Sequence, residues 1–292
     1  MQYLPPFVCC QHMKGGFFLN HITCLSVYVD IMKHNNLIYR TLIGMMLAVV
    51  LLPACRTIDG IDSNSKPVSH EQWSALLDKH VDDNGFVDYK GFILDSTALN
   101  DYLQLLEKGY PNEKNWTREE ILAYWINAYN AYTVQLIIRN YPIESIKDIK
   151  PGVAFINSVW DVQFINIEGQ QLDLNKIEHN ILRKMEEPRI HFAINCASYS
   201  CPKLRNSAYT AENLNTQLDL AARDFINDPS RNNIKNGSAQ LSSIFNWFTG
   251  DFTKNGSLKD FINQYSNNKI AADTPIEFME YNWKLNEQNG GK

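Results

Sequence analysis

Residues 117–138 constrain this fold more than any other stretch. Thr117-Arg118-Glu119-Glu120 reads as a capping box, in which a threonine side chain accepts from an early helix amide and a glutamate answers back. Behind it runs Ile121-Leu122-Ala123-Tyr124-Trp125-Ile126-Asn127-Ala128-Tyr129-Asn130-Ala131-Tyr132-Thr133-Val134-Gln135-Leu136-Ile137-Ile138. Apolar residues recur on every side, and a helix apolar all round is a buried one. It has to be the axis of a domain. Asn127 and Asn130 stand three apart, so they share a face. Asn140-Tyr141-Pro142 ends the helix.

The 292 residues, 45% of them hydrophobic, suffice for one large core with small additions. A formal net charge of -5 gives no basic footprint, so nucleic acid is not an expected partner. The N-terminal part reads as a targeting segment. Met32-Lys33 opens a short basic stretch that includes Arg40. Residues 42–52 form an uncharged apolar run, and Leu52-Pro53-Ala54-Cys55 closes it. The run is shorter than the roughly 20 residues of a membrane span, and its layout is that of a signal peptide. Its ending resembles a bacterial lipoprotein lipobox. The resemblance implies cleavage before Cys55 and lipidation of that residue. The expected start is then Met32, and Cys9, Cys10 and Cys24 lie upstream of it. Residues 1–54 are thus read as extension plus signal peptide, 55–68 as a polar tether and 69–288 as one globular domain.

Along the domain, Ser69 is a candidate N-cap with Gln72 answering it, ahead of Trp73, Leu76, Leu77 and His80 at helical spacing. Asp82-Asp83-Asn84-Gly85 ends this helix. It is not a calcium loop, because a twelve-residue loop from Asp82 puts Ile93 where a glutamate is needed. Residues 99–106 form a second amphipathic helix. Residues 159–167 read as a strand that turns at Glu168-Gly169-Gln170 and returns to Leu174. Residues 174–184 read as a helix holding Glu178 and His179. Residues 211–227 form another helix, 232–241 a hairpin over Asn236-Gly237, 257–265 a short helix and 276–285 a closing strand. The fold class is therefore α+β: a helix-rich domain whose central buried helix packs on a small, mostly antiparallel sheet. No Gly-rich phosphate loop is present and no cofactor is expected.

Arg189-Ile190-His191-Phe192-Ala193-Ile194-Asn195-Cys196-Ala197-Ser198-Tyr199-Ser200-Cys201-Pro202 is the candidate chemical centre. It reads as a buried strand entering a polar loop. Strand alternation puts His191, Ala193 and Asn195 on one face and Cys196 on the other, which disfavours a His191–Cys196 dyad.

Four motifs resemble one family. Residues 123–131 look like its "FWINLYNA" helix, 177–183 like "IEHGILR", 191–202 like "HFALVCGAKSCP" and 281–286 like "YDWSLN". The chain is identified on these as a member of the domain of unknown function 547, DUF547, over roughly residues 73–286. Asn180 replaces a usual glycine and Asn282 a usual aspartate. The resemblance implies no established activity.

Three readings of the His–Cys–Cys block stay open. In an oxidising compartment Cys196 and Cys201 pair as a disulfide, and a loop this short adds roughly 2 kcal/mol in the chain-entropy model. Alternatively a cysteine is a nucleophile. Cys201 is then favoured, at the start of a short helix with Pro202 in its first turn. His191 or His179 serves as base, and Asn127 orients it or donates to an oxyanion. A central helix beside a sheet carrying the histidine resembles papain-like and transglutaminase-like folds. In those the cysteine starts the central helix, and here that helix has none. Third, His179, His191, Cys196 and Cys201 together suit zinc. The bland readings are a satisfied core His191, a helix-surface Glu178-His179 pair or one bonded to Arg189, and Asn127 and Asn130 tying buried backbone. The expectation is a lipid-anchored cell-envelope protein, membrane-bound through its lipid. Either it is a binding or scaffold domain with a disulfide-braced loop, or a thiol hydrolase or acyl/amide transferase acting on envelope peptide or peptidoglycan-like material.

Overall fold

The computed structural model describes residues 63–150, 158–235 and 237–288. The expected signal peptide, Met32, Cys55 as the expected lipidation residue, and the upstream cysteines lie outside the described residues. So does Asn236 of the expected turn. Among the described residues no helix is long and apolar enough to cross a membrane.

Helix α1, Glu71–His80, buries Trp73, Leu76, Leu77 and His80, the four residues at helical spacing. The Ser69/Gln72 box does not form: the helix starts after His70, and Gln72 donates to the Ala98 carbonyl at 3.0 Å instead. Ahead of it, part of the expected tether is fixed to the domain. The carbonyl of Ser65 accepts from Asn112, Asn115 and Trp116 side chains. Gly85, at φ +81, makes the turn after α1. Helices α2, Tyr89–Leu94, and α3, Ser96–Glu107, follow.

The central helix α4, Arg118–Asn140, has the expected box: Thr117 accepts from the Glu120 amide, and Glu120 accepts from the Thr117 amide at 2.7 Å. Every residue from Leu122 to Ile137 is buried. Its neighbours are chiefly helical: α2, α3 and the turns around residues 176–185. The buried Tyr124 hydroxyl donates to the Leu106 carbonyl at 2.8 Å, the kind of partner a buried tyrosine ordinarily finds.

The first hairpin is shorter than read. Residues 159–161 form a 3₁₀ turn, capped as Ser158 and Asp161 bond each other, and only β1, Ile165–Ile167, pairs with β2, Gln170–Leu172. Glu168 and Gly169 both have positive φ at the tip. The segment holding Glu178 and His179 is a π-helix, Lys176–Ile181, continuing as a 3₁₀ turn, Leu182–Met185.

The expected strand at residues 189–196 is not a strand. Pro188–Phe192 is a 3₁₀ helix with Pro188 in its first turn and Glu187 capping the Arg189 amide at 3.1 Å. Proline fixes φ near a helical value. The Ile190, Phe192, Ile194 alternation that imitates a strand instead reports burial in an irregular turn. No helix starts at Cys201: residues 202–210 are irregular.

Helix α5, Leu214–Asn227, leads to a second sheet of β3, Asn233–Lys235, β4, Ser238–Leu241, and β5, Ile276–Phe278. β3 and β4 form the expected antiparallel hairpin, and β5 joins β4 in parallel. Short helices α6, Ile244–Trp247, and α7, Thr249–Phe252, and the capped α8, Leu258–Tyr265, lie between β4 and β5. Phe192, Phe225, Phe245, Phe252 and Phe261 fill the core these elements share. The closing strand stops at Phe278. Residues 282–286 run on as single pairings to the thiol loop: Tyr199 donates to the Lys284 carbonyl, Ser200 to that of Asn282. Helices and two small sheets thus make an α+β domain.

Candidate active site

Helix α4 reaches the site through one buried asparagine, Asn130. Asn130 donates to the Ala193 carbonyl at 3.0 Å and accepts from the Asn195 amide at 2.8 Å. Asn195 in turn donates to the Pro202 carbonyl and accepts from the Ala197 amide. Both are buried. Residues 193–202 are therefore wound around side chains that complete their backbone bonding. Ala197 takes a left-handed φ of +60 within this winding, a conformation that a non-glycine residue keeps only where its surroundings impose it.

This winding brings the two cysteines together. They are free thiols and not the expected disulfide, with sulfurs 2.9 Å apart. Cys196 is half-buried and Cys201 is 5% exposed. The Cys196 sulfur also contacts Ser198 Oγ at 3.0 Å and Tyr281 Oη at 3.3 Å, and those hydroxyls bond each other at 2.9 Å. The contact with Cys201 does most to bring the Cys196 thiol down to about 7; burial opposes it, and Ser198 and Tyr281 reinforce it. Burial and the Cys196 charge push Cys201 up. The expectation that Cys201 is the better nucleophile is thereby reversed. It has no helix N-terminus to acidify it, and it is the less accessible sulfur.

The cleft in front of Cys196 has a volume of about 200 Å³ and an aromatic wall. Trp247 lies 4.8 Å from Tyr281 and 5.7 Å from Trp283, ring centre to ring centre, and Trp160 packs edge-on against Trp283 at 5.7 Å. Trp247 is 47% exposed. Lys147 Nζ stands 3.8 Å over the Trp283 ring.

Glu178, His179 and His191 line the same cleft. Glu178 is buried, and burial, then the charge of Cys196, raises its carboxyl to about 7. Tyr129 donates to it at 3.4 Å. His191 Nε2 bonds Asp251 at 2.8 Å while its ring stacks on Phe248 at 4.0 Å. Arg183 binds the same carboxylate with two nitrogens, at 2.6 and 3.1 Å, and reaches His179 Nδ1. Burial lowers both histidines, against the raising effect of the Asp251 charge. Among the described residues neither hydrogen-bonds a cysteine sulfur, so the expected His191 base is not in contact with either thiol.

Other sequence-selected residues fall elsewhere. Asn127 clasps the Tyr209 backbone, donating at 2.8 Å and accepting at 3.0 Å, and takes no part in the site. Arg189 pairs with Glu187 and Asp219, not with Glu178. Among the described residues no three His, Cys, Asp or Glu side chains converge to hold a metal ion, so the His179, His191, Cys196, Cys201 set does not assemble.

Sequence reasoning missed Ser198, Tyr281, Asp251 and the tryptophans. Ser198 and Tyr281 stood inside quoted motifs, where a hydroxyl two residues from a cysteine was the available signal. Asp251 carried none. No curated protein and no solved structure matches the chain. The family model described as a protein of unknown function, DUF547, matches residues 113–226, which supports the membership read from the sequence and takes in the central helix, Glu178, His191 and both thiols.

Proposed function

We propose that this chain is a lipid-anchored cell-envelope domain whose aromatic cleft binds envelope peptide or peptidoglycan-like material. The observation that carries this is the partly exposed wall of Trp247, Tyr281 and Trp283. The exposed Trp247 ring, backed by the partly exposed Tyr281 and Trp283, offers a flat apolar face for sugar rings or side chains to stack on. Lys147 at its edge supplies a cation for a carboxylate. The anchor rests on Leu52-Pro53-Ala54-Cys55. The test is a tryptophan-fluorescence titration of the purified protein with solubilised peptidoglycan fragments. Saturable binding is expected, weakened about tenfold or more by Trp247→Ala. No binding by the wild type, or equal binding by the variant, sinks the reading. Cys55→Ala should release the protein from membranes.

A second reading, thiol-dependent hydrolysis or acyl/amide transfer, is favoured by one observation: the Cys196 sulfur, with its thiol near 7, faces the cleft among Ser198, Tyr281 and Cys201. A cysteine so placed is partly thiolate at neutral pH. A burst of nitrophenol from p-nitrophenyl acetate, lost in Cys196→Ser and kept in Cys201→Ser, is the expected result. Equal bursts in both variants count against it.

A further inference from the structure

We infer that Cys196 and Cys201 form a dithiol–disulfide exchange centre, in which Cys196 meets an incoming disulfide and Cys201 resolves it. The substrate class is an accessible disulfide in a peptide or a small molecule. This goes beyond ligand binding at the aromatic wall and does not depend on what stacks there.

Geometry carries the assignment. The sulfurs are free and 2.9 Å apart, so a small side-chain shift brings them to bonding distance. Both line the cleft, but they differ in access: Cys196 is half-buried and Cys201 only 5% exposed, so a substrate disulfide meets Cys196 first. The loop is held at both ends: Asn130 fixes its entry, and the backbone of residues 282–286 pairs along it. The Cys196 amide also donates to Cys201 Sγ at 2.9 Å, where it stabilises charge as that thiol attacks. The titration order agrees. Cys196 lies near neutral and Cys201 above its usual value, and an attacking thiol works best with a pKa close to ambient pH.

The chemistry closes. The Cys196 thiolate attacks one sulfur of R–S–S–R′. A Cys196–S–R bond forms, the substrate S–S bond breaks, and R′–S⁻ leaves and takes up the proton that Cys196 gave to solvent. Cys201 then loses its proton and attacks Cys196 Sγ. The Cys196–Cys201 bond forms, and R–S⁻ departs and is protonated. The two protein thiols have lost two electrons, and the substrate disulfide has become two thiols. The reverse sequence oxidises a substrate dithiol.

Oxidised glutathione is the probe, added to the reduced full domain, with intact-mass readout after acid quench. The wild type should end lighter by two hydrogens, with no lasting adduct. Cys201→Ser should stop at a stable single glutathione adduct on Cys196. Cys196→Ser should react about tenfold more slowly or less. A wild type that keeps its adduct, or keeps two free thiols, overturns the proposal, as does a Cys196→Ser variant that reacts as fast as Cys201→Ser. Should either variant fail to fold by circular dichroism, the wild type alone decides. Early quenches must contain the mixed disulfide and later ones the intramolecular bond.

Discussion

The side-chain oxygen of Asn130 accepts the backbone amide of Asn195 at 2.8 Å, so the central helix holds the thiol loop by a direct bond. The Asn130 amide nitrogen also satisfies the Ala193 carbonyl. Replacing Asn130 by alanine leaves both backbone groups buried and unpaired. Each such group costs about 1–3 kcal/mol. Asn130→Ala should therefore lower stability by about 2–6 kcal/mol in urea unfolding and disturb Cys196 reactivity. Asn127→Ala should destabilise comparably, through the lost Tyr209 clasp, with Cys196 reactivity unchanged. Unaltered reactivity in Asn130→Ala would remove its role in placing the thiols.

How far the chain could be read follows from the range of its signals. The central helix was legible because its capping box and its all-round apolar pattern are local. The thiol pair was legible because both cysteines sit within one short loop. Two readings fail together for a single reason. Ile190, Phe192 and Ile194 alternate as a strand does, but Pro188 and the Glu187 cap turn the segment into a 3₁₀ helix. The face assignment of His191 and Cys196 went with the strand. The hairpin at residues 233–241 was found because Asn-Gly is a local turn signal. Tyr281 and Asp251 stand far along the chain from the groups they touch, and no spacing rule reaches them.

The Cys196 thiol provides a pH test. Contacts with Cys201, Ser198 and Tyr281 hold it near 7, so its alkylation by iodoacetamide should rise with a midpoint near pH 7. Cys201→Ser and Tyr281→Phe each remove or weaken a contact that favours the thiolate and should move the midpoint upward. Cys196→Ser should abolish the fast phase. A midpoint at the ordinary thiol value in the wild type contradicts the site as described.

Glu178 makes a stability prediction of defined sign. Burial raises its carboxyl from 4.5 to about 7 in the folded protein. The folded state therefore holds its proton more tightly than the unfolded chain. That contribution is full below about pH 4.5 and is lost as pH rises through 7. Glu178→Gln removes the cost of ionising a buried group. It should leave stability little changed in acid and raise it relative to wild type by up to about 3 kcal/mol above neutrality. Urea midpoints at pH 4 to 5 and at pH 8 decide it; a variant equally destabilised at both refutes it.

Asp251 should behave in the opposite sense. Although burial opposes its charge, bonds from His191 and Arg183 hold its carboxyl well below the usual carboxylate range. The charged form is thus favoured by folding. Its contribution is present above the unfolded value near 3.8 and is lost as pH falls. Asp251→Asn keeps the shape but removes the charge that Arg183 grips with two nitrogens. The variant should lose about 1–3 kcal/mol at neutral pH, a range set by the partial exposure of the pair. The gap from wild type should narrow toward pH 3. The His191 ring, held by this carboxylate and by Phe248, should show altered nitrogen shifts in NMR spectra, because its Nε2–H loses a charged acceptor. A gap that stays constant across the acid range would mean that the charge of Asp251 contributes nothing, and that its role is confined to shape.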